Sequence, residues 1–280
     1  MKASDFASDP RPIGVFDSGI GGLTVLRALI RTMPGERFIY VGDTARVPYG
    51  TKSAETVRTY SVGLAHILLR HDVKMIVVAC NTASVHAASA IAECAAPVPV
   101  VSMVAPAVAA ALAATKNKHI MVMGTQSTIR SHSYAQALQE QDQSVKVTSI
   151  PAQLLVALAE EGWIDGPIPR AAVERYIGAV FSNADKPDTI ILGCTHFPLL
   201  RDIIAEVAGP GVILIDCGAA ASRHIHGRTQ GRAELKFLVT DSIERFTPLV
   251  ERFLGIPATG IAAEHIDLTD ILNTDLKKAS

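Results

Sequence analysis

Two cysteines stand at the ends of apolar runs, each followed by small polar residues. Residues 75–83 read MIVVACNTA and residues 189–198 read TIILGCTHFP, so Cys80 and Cys194 occupy the same local grammar far apart in the chain. A thiol just before a helix or turn start meets backbone N–H groups that favour thiolate over thiol, and this can bring the free value of about 8.5 into the working range. Asn81, Thr82 and Thr195 add donors suited to a carboxylate. Cys94 and Cys217 lack such a context and read as small buried hydrophobes.

Three chemistries fit the pair. Cys80, Cys194 and His196 could supply a Cys₂His zinc site, although Cys-x-His is an unusual chelating spacing and Cys80 is remote. Cys194 with His196 could form a nucleophile and base, which leaves Cys80 idle. Proton transfer uses both thiols. One thiolate removes a proton from one face of a carbon, a thiol returns one to the other face, and the roles swap with the hand of the substrate. Asp17 is then the candidate polar partner on the Cys80 side. His196, which can titrate near neutrality, is the candidate on the Cys194 side.

The elements that must position these groups form an α/β pattern. Apolar runs at 12–16, 38–42, 74–80, 98–104, 119–123, 145–150, 189–194 and 212–216 alternate with helix-like segments such as AETVRTYSVGLAHILLRHD. Continuous apolar strands alternating with helices indicate mainly parallel sheets covered on both faces. The order repeats: IGVFDSG (13–19) matches IMVMGTQ (120–126), FIYVGDT (38–44) matches VKVTSIP (145–151), and IVVACNT (76–82) matches TIILGCT (189–195). This predicts two similar α/β domains. Ligands of parallel sheets bind beyond the carboxyl ends of strands, so the two thiols should face each other across an inter-domain cleft. The glycine-rich FDSGIGGLTVLRAL could present N–H groups to an anion or simply form a tight strand-to-helix turn with Asp17 as polar cap. It is not a Walker loop, and Thr24 stands at the third glycine position of a dinucleotide fingerprint. Residues 240–255, TDSIERFTPLVERFLG, read as an amphipathic helix capped by Thr240 or Asp241 with Glu244 in its first turn.

Bulk properties narrow the classes. The 280 residues are 49% hydrophobic, net charge is −1, and mean hydropathy is +0.28. This is a well-buried globular composition without a nucleic-acid footprint. The uncharged stretch 94–115 is interrupted by Pro97, Pro99 and Pro106, so a buried strand running into an alanine-rich helix is expected rather than a membrane span. The N-terminus has no apolar core of a signal peptide, and no Cys-x-x-Cys pair occurs, so a cytoplasmic location with reduced thiols is expected.

Five motifs then carry a family resemblance: FDSGIGGLTVL (16–26), YVGDTARVPYG (40–50), VVACNTAS (77–84), ILGCTHFPLL (191–200) and ERFTPLVERFLG (244–255). The chain resembles cofactor-independent glutamate racemases, within the aspartate/glutamate racemase superfamily. The resemblance implies interconversion of L- and D-glutamate for peptidoglycan synthesis. It implies Cys80 and Cys194 as acid/base thiols, with Asp17 and His196 in support. Substrate contacts fall on Asp17, Ser18, Tyr49, Gly50, Asn81, Thr82, Thr195 and His196, with Asp43, Thr125 and Glu160 nearby. It implies no cofactor and no metal, a small-molecule partner (glutamate) without nucleic acid or membrane, and a homodimer. It also returns the C-terminus to the first domain, giving 1–104 plus 217–280 and 105–216. Aspartate racemases are the nearest alternative, but they typically carry glutamate where His196 stands. A non-catalytic amino-acid binding module could use the same cleft. Pyridoxal phosphate would need a Schiff-base lysine, and the motifs offer only Lys52 beside PYG.

Overall fold

The computed structural model of the chain describes Phe6, residues 8–257 and residues 262–267. The strands are β1 (Ile13–Asp17), β2 (Arg37–Gly42), β3 (Met75–Val78), β4 (Val100–Ser102), β5 (His119–Gly124), β6 (Lys146–Pro151), β7 (Thr189–Gly193), β8 (Ile213–Asp216), β9 (Glu234–Val239) and β10 (Ala263–His265). The helices between them are α1 (Leu23–Thr32), α2 (Ala54–Arg70), α3 (Asn81–Ala95), α4 (Val104–Ala114), α5 (Gln126–Arg130), α6 (Ser133–Gln141), α7 (Leu154–Glu161), α8 (Pro167–Val173), α9 (Ala179–Phe181), α10 (Arg201–Ala208), α11 (Cys217–Ser222) and α12 (Ile243–Leu254).

The strands form two parallel sheets, a six-stranded one ordered β10-β9-β2-β1-β3-β4 and a four-stranded one ordered β6-β5-β7-β8. The order β2-β1-β3-β4 recurs as β6-β5-β7-β8, so the internal repeat extends to a fourth strand. The expected α/β class with helix-covered parallel sheets is what the chain adopts. The central strands β1, β3, β5 and β7 are buried along their whole length, which is why they read as unbroken apolar runs. One continuous core reaches from Ile13 and Val15 of β1 through α1 and α4 to Met121 of β5 and Ile191 of β7, joining the two halves.

Three expectations need adjusting. β9 was not among the apolar runs, because Glu234 and Lys236 interrupt it on its solvent side while its last three residues are buried. It pairs with β2, with Arg37 opposite Glu234 and Gly42 opposite Val239, and so widens the first sheet after the second is complete. The helix expected from residue 240 begins at Ile243, and its cap is Ser242, whose hydroxyl accepts from Arg245 N at 3.4 Å. Thr240 instead donates to Asp43 Oδ1 at 2.8 Å. The uncharged stretch resolves into β4 and α4, and among the described residues no helix is long and apolar enough to cross a membrane. Of the weakly patterned tail after Gly255, residues 258–261 and 268–280 lie outside the described residues.

One ionic knot sits beneath the first sheet. Lys74 Nζ meets Glu36 Oε2 at 2.7 Å with both side chains fully buried, and it also donates to the carbonyls of Phe6 and Asp9. Glu36 in turn accepts from the backbone N–H groups of Arg37 and Arg228. A buried charge is tolerable only when so completely paired. Lys74→Met leaves Glu36 uncompensated, and urea unfolding should show a loss of about 3–5 kcal/mol.

Candidate active site

Each sheet presents a strand end to the same small cavity. Its lining includes Ser18, Gly19, Tyr49, Gly50, Cys80, Asn81 and Thr82 from the first half, and Thr125, Gln153, Glu160, Cys194, Thr195 and His196 from the second. Ser18 follows β1, Cys80 follows β3, Thr125 follows β5 and Cys194 follows β7. The repeat therefore delivers both sulfurs to one space from opposite sheets.

The two thiols have different local settings. Cys80 is the N-cap of α3, and its sulfur accepts from Ala83 N at 3.4 Å and lies 3.5 Å from Ser18 Oγ. A helix start should favour thiolate, yet the thiol is pushed up to about 12 by burial, with the charge of Asp17 adding to it. Desolvation and a neighbouring anion outweigh the helix N–H groups and Ser18 at this thiol. Cys194 leads into a 3₁₀ turn, Phe197–Leu200, and its sulfur lies 3.7 Å from His196 Nδ1. His196 Nε2 lies 3.0 Å from Glu160 Oε1. Burial works to lower the imidazole, but Cys194 and Glu160 hold it up, to about 10. His196 therefore carries its proton at neutral pH.

Asp17 does not line the cavity. It is fully buried behind the glycine-rich loop, where Gly19 N donates to its Oδ2 at 3.0 Å and its Oδ1 has no partner. Burial raises its carboxyl, opposed by the charge of His196 and the N–H groups of Gly22 and Gly19. Asp43 is also set back. It receives hydrogen bonds from Tyr49 at 2.7 Å and Thr240 at 2.8 Å and pairs with Arg46, so it braces the loop that carries Tyr49 and Gly50.

The halves touch closely around the cavity. A Cβ at position 21 would lie 2.2 Å from Thr195 Oγ1 and 2.5 Å from His196 Cε1, so only glycine lets the first loop approach the second thiol's motif. The hydroxyls of Thr82, Thr125 and Thr128 form a triangle with edges of 2.9–3.0 Å across the gap. Thr24 Oγ1 donates to Thr195 O at 2.8 Å. Arg252 of α12 donates to the carbonyl of Glu160, and Phe253 packs edge-on against the His196 ring. The free volume left inside is only ≈ 20 Å³, about one water.

Ser18, Tyr49, Gly50, Cys80, Asn81, Thr82, Cys194, Thr195 and His196 thus come together as the sequence suggests, joined by Thr125 and Glu160. Gln153 and Val47 also line the cavity; Gln153 lies in no motif, and Val47 sits within YVGDTARVPYG without having been singled out. Among the described residues no group of three His, Cys, Asp or Glu side chains is arranged to hold a metal ion. None of the four cysteines is in a disulfide. Cys217 is buried and donates to Leu192 O, as befits a core thiol.

A family model described as Asp/Glu/Hydantoin racemase matches residues 13–225. A glutamate racemase of Syntrophus aciditrophicus is 41% identical over 259 residues, covering 89% of this chain and 95% of that protein. The crystal structure of a glutamate racemase from Francisella tularensis in complex with D-glutamate superposes with a TM-score of 0.83 at 35% identity, covering 93% and 99% of the two chains. That of a glutamate racemase isoform from Bacillus anthracis gives 0.85 at 34% identity, covering 92% and 98%.

The proton on His196 has a consequence for stability. Its folded value lies above the ordinary 6.5, so below 6.5 the contribution is fully present, and it is lost as pH rises through about 10. Between pH 6.5 and 8.5 the urea midpoint should decline, and less so in Glu160→Gln. The imidazole ¹⁵N shifts of His196 should keep imidazolium values beyond pH 8 in the native protein and titrate lower in the variant.

Proposed function

The chain belongs to the Asp/Glu/Hydantoin racemase family, and we propose that it interconverts L- and D-glutamate with two thiols on opposite faces of the α-carbon. The observation that carries this reading is the convergence of Cys80 and Cys194 on one cavity rimmed by amide, hydroxyl and backbone donors. A relative of the same fold binds D-glutamate, and the donors here suit a dicarboxylate.

In the forward sense a thiolate takes the α-hydrogen as a proton. The C–H electron pair moves onto the α-carbon and its carboxylate, and the opposite thiol gives its proton to the other face. The balance is one proton in and one out, with the charge transferred from one sulfur to the other. Cys194, whose sulfur lies 3.7 Å from His196 Nδ1, is assigned as the base in one sense of the reaction. Cys80, neutral at working pH, is the acid. The enantiomer bound the other way round requires the reverse assignment. Asp17 and His196 tune these charges, while Ser18, Tyr49, Gly50, Asn81, Thr82 and Thr195 hold the substrate. Negative charge building on the α-carboxylate is met by fixed donors in a space from which water is excluded. The reaction in this reading draws on the chain's own groups and needs no cofactor.

A cavity of ≈ 20 Å³ is far too small for glutamate. We take residues 1–104 plus 217–280 and residues 105–216 as two bodies that part to admit substrate and close over it. Exposed Leu154, Trp163 and Ile168 on the segment from α7 to α8 support a homodimer. The product would serve peptidoglycan synthesis in the cytoplasm.

Cys80→Ala and Cys194→Ala should each lower glutamate racemisation by about 10²–10⁴-fold, as loss of a general acid or base does. Circular dichroism of L- and D-glutamate turnover measures this, with aspartate as the control substrate. In D₂O the native enzyme should place deuterium at the α-carbon of product. Full activity in either single variant overturns the two-thiol mechanism. Glutamate binding without α-proton exchange in the native protein makes the cleft a binding module.

A further inference from the structure

Asn81 follows Cys80 directly and lines the cavity, 3% exposed. Its Oδ1 accepts a hydrogen bond from the Tyr134 hydroxyl at 2.5 Å, while its Nδ2 is buried with no partner. Five buried side-chain atoms among the described residues share that condition: Asp17 Oδ1, Thr44 Oγ1, Ser61 Oγ, Asn81 Nδ2 and His119 Nδ1. Only Asn81 belongs to the cavity lining. An amide N–H₂ left unpaired in a closed polar space is unfavourable until something accepts from it.

Tyr134 reaches Asn81 from the other half. It lies on α6, after β5, and is 2% exposed. Its hydroxyl also lies 3.6 Å from Cys217 Sγ, whose own S–H is directed to Leu192 O at 3.3 Å. Tyr134 has a single proton to give, and an amide oxygen is a far better acceptor than a thiol sulfur. The bond to Oδ1 therefore fixes the flip of the Asn81 amide and leaves Nδ2 as its unpartnered end. Burial holds the phenol well above its ordinary value, so that proton stays in place across the working pH range.

We propose that Tyr134 is a positioning residue. It grips Asn81 Oδ1 across the cleft and so aims the Nδ2–H₂ group at a carboxylate oxygen of the substrate beside Cys80. The inference rests on the glutamate racemase reading. It adds a second consequence: the donor is correctly presented only when the two halves are together, because the group that orients it belongs to the half opposite the one that carries it.

The test is a double-mutant cycle on the full chain, with kcat and KM for L- and D-glutamate read by circular dichroism. Tyr134→Phe keeps the ring and removes the hydroxyl; kcat/KM should fall about tenfold, with a raised KM. Asn81→Ala should fall further, and adding Tyr134→Phe to it should change kcat/KM less than twofold, because the tyrosine acts through the amide. A packing role would keep its full penalty in the Asn81→Ala background, and that result overturns the proposal, as does an unchanged KM in Tyr134→Phe. Should Tyr134→Phe fail to fold, Asn81→Asp decides. It retains the acceptor for Tyr134 but replaces the donor with an anion, and should raise KM above that of Asn81→Ala. A native-like KM in Asn81→Asp removes the donor role. A native enzyme that leaves glutamate unracemised sinks the parent reading instead, so the two failures are told apart.

Discussion

The Cys80 sulfur and the Asp17 carboxyl share one water-poor interior, where a negative charge on either raises the cost of a charge on the other. Much of the site follows from that constraint. A helix N-terminus and the Ser18 hydroxyl both lie beside Cys80, yet they do not suffice to ionise it. The positive charge of His196 sits on the other side, held by Glu160 and facing Cys194. The closed cleft is thus polarised: a neutral thiol over a buried carboxyl on one wall, a sulfur beside an imidazolium on the other. A reaction that moves a proton from one wall to the other needs such a difference, and one that must also run backwards needs it to be modest once substrate charge is present.

The same dry space is bounded by contacts between the two halves. The threonine triangle, the Thr24–Thr195 bond, the Tyr134–Asn81 bond and the approach of Gly21 to His196 all cross between the halves. Each such hydrogen bond is worth only about 0.5–1.5 kcal/mol net, because water replaces it when the halves part. In the proposed reading these contacts part when substrate enters, over the apolar core under α1 and α4 that joins the two halves. Arg252 and Phe253 on α12 extend this control to the Glu160–His196 pair from a helix that follows the strands of the first sheet.

Much of this was legible before any coordinates. Unbroken apolar runs gave away β1, β3, β5 and β7, because strands buried on both faces carry no alternation. The repeat of three such runs placed Cys80 and Cys194 at equivalent ends. β9 escaped because Glu234 and Lys236 mimic a surface segment while Phe237, Leu238 and Val239 do the pairing's burial. Gln153 escaped because a lining position needs only shape. Asp17 was placed in the site by its motif but sits behind the loop, a difference of depth that sequence spacing does not encode. The charge state of Cys80 is hidden from sequence for a related reason: local N–H groups are visible there, whereas the burial around them is a property of the fold.

The late arrival of β9 bears on how the chain is made. The four strands of the second sheet lie between residues 119 and 216 without interruption, so they can assemble as soon as they leave the ribosome. The first sheet begins earlier but is finished later, since β2 has one flank unpaired until residues 234–239 are synthesised. At roughly 5–20 residues per second, that exposed edge persists for many seconds in a strand whose residues are nearly all apolar. The nascent chain thus passes through a stage in which the younger half is complete and the older half still carries an open edge. Chaperone contact or premature strand pairing would act at that stage.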